Sequence, residues 1–100
     1  DKRATAEAYK SFFASMDGVE LVIEPTNSRS NYWLNAVILS DKQAQQDFLE
    51  YTNNHGVMTR PIWELMNRLP MFEHCQHDGL EMTQWLADRV VNIPSSVRMI

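Results

Sequence analysis

The segment NYWLNAVIL, residues 31–39, constrains the fold most strongly, because it is almost wholly apolar and carries no charged side chain. Tyrosine, tryptophan, valine and isoleucine favour β-strands, and a strand without polar alternation is covered on both of its faces. A strand of this kind belongs in the interior of a sheet. The sequence therefore predicts one sheet in which residues 31–39 lie between two other strands.

The flanking segments predict helices and strands that pack around this strand. Apolar residues recur at helical spacing, every three or four positions, near residues 3–16, 41–55 and 79–89. Strands are predicted at residues 19–25, where VELVIEP alternates, at the short segment 57–60 and at the closing segment 90–94.

Residues that favour helix ends mark the boundaries of these helices. Ser40 followed by Gln43 matches a capping box, which places the N-cap of the second helix at Ser40. Gly56 supplies the left-handed residue that ends this helix. Pro61 favours a first helical turn, so a short helix is predicted from Pro61 onward, and Asp78 is predicted to cap the last helix.

Apart from the short helix from Pro61, the predicted order is helix, strand, strand, helix, strand, helix, strand, which gives one sheet with helices packed on it. We therefore expect an α/β (α+β) two-layer sandwich with a small sheet that is mainly antiparallel or mixed. Residues 1–100 suit a single domain with a modest core.

Charge and composition exclude several classes of partner. The formal net charge is −4 and no basic stripe is present, so we expect no nucleic acid partner. The longest uncharged run, from Ser30 to Ser40, is too short to span a membrane. The single cysteine, Cys75, excludes an internal disulfide and fits a cytoplasmic, reducing compartment.

Four possible metal ligands or catalytic groups lie close together in HCQHD, residues 74–78. A tetrahedral zinc site needs ligands that converge from separated segments, and the chain has no second cluster. Cys75 beside His74 or His77 could act as a nucleophile with its base, but such pairs normally meet through the fold. A solvated loop with an ordinary thiol is the better interpretation, and we expect no metal.

The sequence offers no cofactor site of its own. Its three glycines, at positions 18, 56 and 79, lie too far apart for a phosphate-binding loop. Lys2, Lys10 and Lys42 are predicted on helix surfaces, where nothing desolvates an amine for use as a nucleophile. Glu20 and Glu24 share the exposed face of the first predicted strand, so we expect them to be solvated.

Arg60 and Trp63 are the strongest candidates for a binding site. Arg60 lies where the predicted strand 57–60 ends, and strand ends with their loops commonly carry function. A guanidinium can hold a carboxylate or phosphate by two parallel hydrogen bonds, and an indole can form an apolar wall or stack on a planar group. The alternative is that Arg60 pairs with Glu64 while Trp63 fills the core.

The segments SNYWLNAVIL, NNHGVMTRPIWELMNRLPMF and LADRVVNIPSSV resemble the C-terminal end of sugar aminotransferases of the DegT/DnrJ/EryC1/StrS family. The most similar branch makes nucleotide-linked amino sugars for surface polysaccharides, including those of the legionaminic-acid type. The resemblance implies the aspartate-aminotransferase (fold type I) architecture, in which a large domain binds pyridoxal phosphate through a Schiff-base lysine. Residues 1–100 then correspond to the C-terminal small domain, which needs no cofactor of its own.

The resemblance also implies a reaction and a set of site residues. The full-length enzyme would transfer an amino group from an amino acid, glutamate, to a nucleotide-linked keto sugar, and it would be a homodimer. The small domain would help to bind substrate and close the cleft, with Arg60, Trp63, Asn67 and Trp33 at positions beside that cleft. Many relatives have histidine where Asn67 stands, so a contact made by that histidine can be lost here.

Two other functions fit the residues without the resemblance. One is a stand-alone α/β module that binds a small ligand or a protein partner, and the other is a small cysteine or metal enzyme. A long upstream reading frame with a strand-flanked lysine would favour the aminotransferase. A bound metal or an activated thiol would favour the small enzyme.

Overall fold

Two helices pack on one face of a four-stranded sheet, and a third helix leads into the last strand. The computed structural model describes residues 1–96, so Val97 at the end of LADRVVNIPSSV lies outside the described residues. The elements are helix α1 (Lys2–Phe13), strands β1 (Val19–Leu21) and β2 (Asn35–Leu39), helix α2 (Lys42–Asn54), strand β3 (Arg60–Pro61), a 3-10 turn (Met66–Arg68), helix α3 (Glu81–Ala87) and strand β4 (Val90–Ile93).

The sheet has the strand order β1-β2-β4-β3, and all of its pairings are antiparallel. The predicted two-layer architecture and the interior position of β2 are therefore confirmed, with an antiparallel sheet rather than a mixed one. The strand is shorter than the predicted 31–39, because local side-chain bonds hold the backbone before Asn35 in an irregular bend. The Asn31 side chain accepts a hydrogen bond from the Trp33 amide at 3.0 Å, and Tyr32 has a positive φ of 50°.

The core lies between the sheet and helices α1 and α2. Val37, Leu39, Val91 and Ile93 are buried at its centre. Around them pack Tyr9 and Phe13 from α1, Val19 and Leu21 from β1, and Ala44, Phe48 and Leu49 from α2. The other residues of β2, Ala36 and Ile38, are only half-buried. The expectation that β2 is fully covered on both faces was thus wrong, because α1 and α2 both pack on the same face.

The start of α2 differs from the prediction by one residue. Asp41, and not Ser40, is the N-cap, because Asp41 Oδ1 accepts a hydrogen bond from the backbone N–H three residues on, at 2.7 Å. Gln43 does not reach back as a capping box requires, since its amide donates to Asp47 Oδ1 at 2.9 Å. Gly56 follows the helix with a φ of 80°, which confirms it as the left-handed stop.

Pro61 begins no helix. It belongs to β3, where it pairs with Val91, and the only helical structure downstream, before α3, is the single 3-10 turn Met66–Arg68. Proline suits an edge strand such as β3, which needs few backbone donors. The strand predicted at 57–60 is correspondingly displaced to Arg60–Pro61.

The last helix also begins later than predicted. Asp78 does not cap it; Asp78 Oδ1 accepts a hydrogen bond from the Leu80 amide at 2.8 Å. Leu80 holds the N-cap position itself, with a φ of 52° and no side-chain bond to the helix. At the other end of the chain, α1 stops at Phe13 and not at residue 16. None of the helices in residues 1–96 has the length and apolar content that a membrane crossing requires.

An ion pair ties the start of α1 to the segment after β1. Arg3 Nη2 donates to Glu24 Oε1 at 2.7 Å and Arg3 Nη1 donates to Glu24 Oε2 at 3.3 Å, while the Ser30 amide donates to Oε2 at 2.7 Å. The hydrogen bonds from Arg3, and after them the one from the Ser30 amide, lower the pKa of Glu24 to about 2. The hydrogen bond to Glu24 raises the pKa of Arg3. The expectation of a solvated Glu24 was wrong, because β1 ends at Leu21 and the chain then turns toward Arg3.

Candidate functional site

A cavity of about 620 Å³ opens beside β3, at the C-terminal end of β4. We call it the Arg60 groove; its lining residues include Trp33, Met58, Arg60, Trp63, Asn92 and Ser95. Three of the four side chains predicted at the site, Trp33, Arg60 and Trp63, therefore come together in one place. Asn67 does not; it lines a separate, largely apolar cavity of about 500 Å³ with Phe72 and Cys75.

Arg60 is exposed and is held at one end of its guanidinium. Its Nη1 donates to the Thr59 carbonyl at 2.8 Å and to Asn53 Oδ1 at 3.1 Å. Glu64 lies instead 3.6 Å from Arg68 Nη1, so the proposed pairing of Arg60 with Glu64 was wrong. Among residues 1–96 no carboxylate forms an ion pair with Arg60.

The two tryptophans of the groove are surface residues. Trp63 is 70 % exposed and Trp33 is 64 % exposed, so Trp63 does not fill the core. Large indole rings left in solvent at a concave surface are available to cover an apolar or planar part of a ligand. Among residues 1–96, no aspartate or glutamate lines the groove, and Arg60 is the one charged side chain in its lining.

A second cation lies at the rim of the Arg60 groove, where no sequence pattern had placed it. Lys2, in the first turn of α1, donates from Nζ to the Ser95 carbonyl at 2.5 Å and to the Trp33 carbonyl at 3.3 Å. Both acceptors belong to residues that line the groove. Only the tertiary fold brings the start of α1 to the end of β4, so a helical pattern could not have placed Lys2 here.

The side of the groove formed by β3 is anchored to the C-terminal turn of α2. Thr59 is 1 % exposed, and its Oγ1 lies 2.6 Å from Thr52 Oγ1. Asn53 Nδ2 donates to Thr59 Oγ1 at 3.0 Å, and Asn53 Oδ1 accepts from Arg60. Asn53 lies seven residues before Arg60, across the turn at Gly56, and only the fold brings the two side chains together.

Asn35 does not line the groove but supports residues that do. Asn35 is 1 % exposed. Its backbone amide donates to Ser95 Oγ at 2.7 Å, and Ser95 Oγ donates to the Ile93 carbonyl at 2.8 Å. These bonds fix the end of β4 beside the start of β2. Pro94 and Ser95, which line the groove, are thereby held next to the sheet.

The HCQHD segment lies on the surface. His74 Nε2 is 3.7 Å from Glu73 Oε1, and His77 Nδ1 contacts the Asp78 carbonyl. Cys75 is exposed, and no hydrogen bond joins it to either histidine in the part of the chain that the structure describes. Within residues 1–96, no three histidine, cysteine, aspartate or glutamate side chains come together in a way that could hold a metal ion.

The lysines of this chain do not fit a covalently bound pyridoxal phosphate. The Lys2 ammonium donates to two backbone carbonyls, which occupies it as a hydrogen-bond donor. Lys10 and Lys42 are exposed on α1 and α2. A Schiff-base lysine needs a desolvated or cationic setting, and none of the three side chains has one.

The chain belongs to the DegT/DnrJ/EryC1/StrS aminotransferase family, whose model matches residues 1–100. Among curated proteins, none is similar enough to this chain to count as a match. The family resemblance stated from the three quoted segments is therefore confirmed.

Two solved structures share the fold of this chain. The aminotransferase TlmJ from Streptoalloteichus hindustanus has a TM-score of 0.81 at 20 % identity, and the sugar aminotransferase CalS13 from Micromonospora echinospora has a TM-score of 0.76 at 23 % identity. Each alignment covers 94 % of this chain but only 25 % and 24 % of theirs, so the chain spans about a quarter of their length. The likeness confirms the aspartate-aminotransferase-type fold that the resemblance implied.

Proposed function

We propose that this chain is the C-terminal small domain of a longer, cytoplasmic sugar aminotransferase that depends on pyridoxal phosphate. The whole enzyme transfers an amino group from an amino acid, glutamate, to a nucleotide-linked keto sugar for surface polysaccharide synthesis. The small domain contributes to substrate binding and to closure of the cleft. Family membership and the fold shared with a quarter of two aminotransferases support this assignment.

The Arg60 groove is the observation that carries the proposal. It combines an exposed guanidinium with two exposed indole rings, and no acidic side chain of residues 1–96 belongs to its lining. A nucleotide-linked sugar has the matching chemistry, because its diphosphate is anionic while its base and sugar rings have apolar or planar faces. The amino donor glutamate also carries carboxylates that an arginine fork can hold.

Each groove residue has a binding role in this proposal. Arg60 holds an anionic group, and Trp33 and Trp63 exclude water from the neighbouring part of the ligand. Asn67 lies outside the groove, in the adjoining segment, and can contribute only from the second cavity. Lys2 adds positive charge at the rim while it fixes the backbone of Trp33 and Ser95.

The chemistry of transamination is assigned to the rest of the enzyme. Pyridoxal phosphate supplies an electron sink for that reaction, and the lysines of this chain are not set up to bind it. Exposed apolar side chains along residues 58–72, among them Met58, Trp63, Met66 and Met71, fit a surface that other parts of a longer, homodimeric enzyme cover.

The test is the visible absorbance of the full-length protein with pyridoxal phosphate, before and after addition of glutamate and of nucleotide-linked keto sugars. A cofactor band that responds to glutamate, followed by amination of one keto sugar, supports the proposal. A full-length protein that forms no such band contradicts it and favours a stand-alone binding module.

A further inference from the structure

We propose that Asn53 is a positioning residue: it holds the Arg60 guanidinium so that one edge faces an anionic ligand. This inference rests on the binding role proposed above for Arg60. Asn53 lies in the last turn of α2, and Arg60 is the first residue of β3. Their side chains meet at 3.1 Å, Nη1 to Oδ1. Nothing in the sequence marks Asn53 for a role in binding.

The hydrogen bonds around Asn53 fix which way its side-chain amide points. Its Nδ2 lies 2.8 Å from the Leu49 carbonyl, 3.2 Å from the Thr59 carbonyl and 3.0 Å from Thr59 Oγ1, which are all acceptors. An amide nitrogen carries two hydrogens and no acceptor site, so this environment suits Nδ2 and would repel Oδ1. The carbonyl oxygen Oδ1 must therefore face Arg60.

The hydroxyls of Thr52 and Thr59, next to Asn53, strengthen this orientation. Thr52 Oγ1 donates to the Phe48 carbonyl at 2.8 Å, so its only hydrogen is used. The Thr59 hydroxyl then donates to Thr52 Oγ1 across 2.6 Å, which leaves the Thr59 lone pairs free to accept from Asn53 Nδ2. Each hydroxyl carries one hydrogen, so only one assignment of donors and acceptors satisfies all of these hydrogen bonds.

The bonds to Arg60 leave a defined part of its guanidinium free. Both bonds come from Nη1, one to Asn53 Oδ1 and one to the Thr59 carbonyl, so the two hydrogens of Nη1 are used. Within residues 1–96, Nε and Nη2 have no acceptor. These two nitrogens form the side edge of the guanidinium, which offers the parallel pair of N–H groups that a carboxylate or phosphate accepts.

Positioning matters here because Arg60 is exposed and its side chain has many rotamers. An unrestrained arginine loses conformational entropy when it binds a ligand, and a held guanidinium loses less. Asn53 supplies this restraint from a helix end that is itself fixed by the buried Thr59. Because Asn53 is neutral, it orients the guanidinium without cancelling its charge.

The experiment compares Asn53→Ala, Arg60→Ala and the double variant in the full-length protein, with Asn54→Ala as the matched control. Asn54 neighbours Asn53 on α2 and is exposed. Binding of UDP, GDP, dTDP and glutamate is measured by calorimetry for each variant. We expect Asn53→Ala to weaken binding of the probe that senses Arg60 by about three- to tenfold, with no effect from Asn54→Ala.

The double variant separates positioning from a general structural effect. If Asn53 acts through Arg60, Asn53→Ala has no further effect on binding in the Arg60→Ala background. Equal losses in both backgrounds overturn the proposal, even if Asn53→Ala lowers thermal stability.

A crystal structure of the Asn53→Ala full-length protein separates this inference from the proposed function. A displaced or disordered Arg60 guanidinium supports positioning, and an unmoved one overturns it. If the guanidinium moves but Arg60→Ala alters the binding of none of the probes, the positioning stands and the proposed binding role of Arg60 fails.

Discussion

For single residues, the geometry of the Arg60 groove depends on which hydrogen bonds each side chain makes. The sequence predicted that Arg60 ends a strand beside a proline, whereas Arg60 begins β3. The sequence also left open whether Trp63 is exposed or fills the core, and the structure has it exposed. The partner of Arg60 could not be inferred, because Glu64 is nearer to Arg60 in the sequence than Asn53 is, and only the fold selects Asn53. Glu64 pairs with Arg68, which leaves Arg60 with neutral partners.

Replacing Arg60 by alanine in the full-length enzyme should raise KM for one substrate while kcat stays nearly unchanged. A charge-assisted hydrogen-bonded pair is worth roughly 1.5–3 kcal/mol, so the expected rise is about ten- to a hundredfold. Arg60→Lys should recover only part of the loss, because a point charge cannot reproduce the fork. Steady-state kinetics with each substrate varied in turn provide the measurement.

Arg68→Ala is the matched control for this prediction, since Arg68 pairs with Glu64 and does not line the groove. It should leave both kinetic constants close to those of the wild type. Unchanged kinetics in Arg60→Ala would contradict a binding role, and a fall in kcat alone would place the arginine in the transition state instead.

Among the helices and strands, strong sequence patterns predicted which elements form and of which type. Tertiary contacts decided where each element begins and ends. The apolar run that ends at Leu39 was enough to predict strand β2, and the glycine after α2 was enough to predict where that helix ends. The helix predicted from Pro61 failed because proline suits a first helical turn and an edge strand equally well. Burial of Thr59 against α2, which no local pattern encodes, draws this segment to the sheet edge.

The N-cap of α2 gives a direct test of one such boundary. Asp41→Ala should lower the free energy of unfolding by about 1 kcal/mol, because the first turn of α2 loses its side-chain acceptor. Ser40→Ala, one position earlier, should change the stability little, although the capping-box pattern points to it. Urea unfolding of the two variants, measured side by side, decides between them; a larger loss in Ser40→Ala would show that the cap is misassigned.

The ion pair between α1 and the segment after β1 should make stability depend on acid pH. The pKa of Glu24 lies near 2 in the folded chain against an ordinary value of 4.5, so the folded state favours the carboxylate. Its contribution is therefore complete above about pH 4.5 and is lost as the pH falls toward 2. We expect the stability difference between wild type and Glu24→Gln to be largest near neutral pH and to shrink across this window.

Glu20→Gln serves as the control for the pH experiment, because Glu20 is exposed on β1. Thermal unfolding measured between pH 2 and 7 should show little pH-dependent difference between Glu20→Gln and wild type. A Glu24→Gln difference that stays constant over the window would mean that the ion pair does not form.

For the molecule as a whole, the chain belongs to the DegT/DnrJ/EryC1/StrS aminotransferase family and spans about a quarter of the length of the two solved structures that share its fold. We predict that borohydride reduction of the full-length protein with pyridoxal phosphate labels no lysine in residues 1–100. The reason is the hydrogen-bonded or solvated state of Lys2, Lys10 and Lys42. Peptide mapping of the reduced protein gives the answer, and stoichiometric label on any of the three would refute the assignment.

The two-residue strand β3 has a further consequence for the behaviour of the molecule in solution. It forms one edge of the sheet, and it consists of a charged arginine and a proline that lacks a backbone N–H. A short edge with one charge and one missing donor is a poor template for strands of other molecules. The same two residues that shape the groove thus also protect this margin of the sheet against fibril-like stacking.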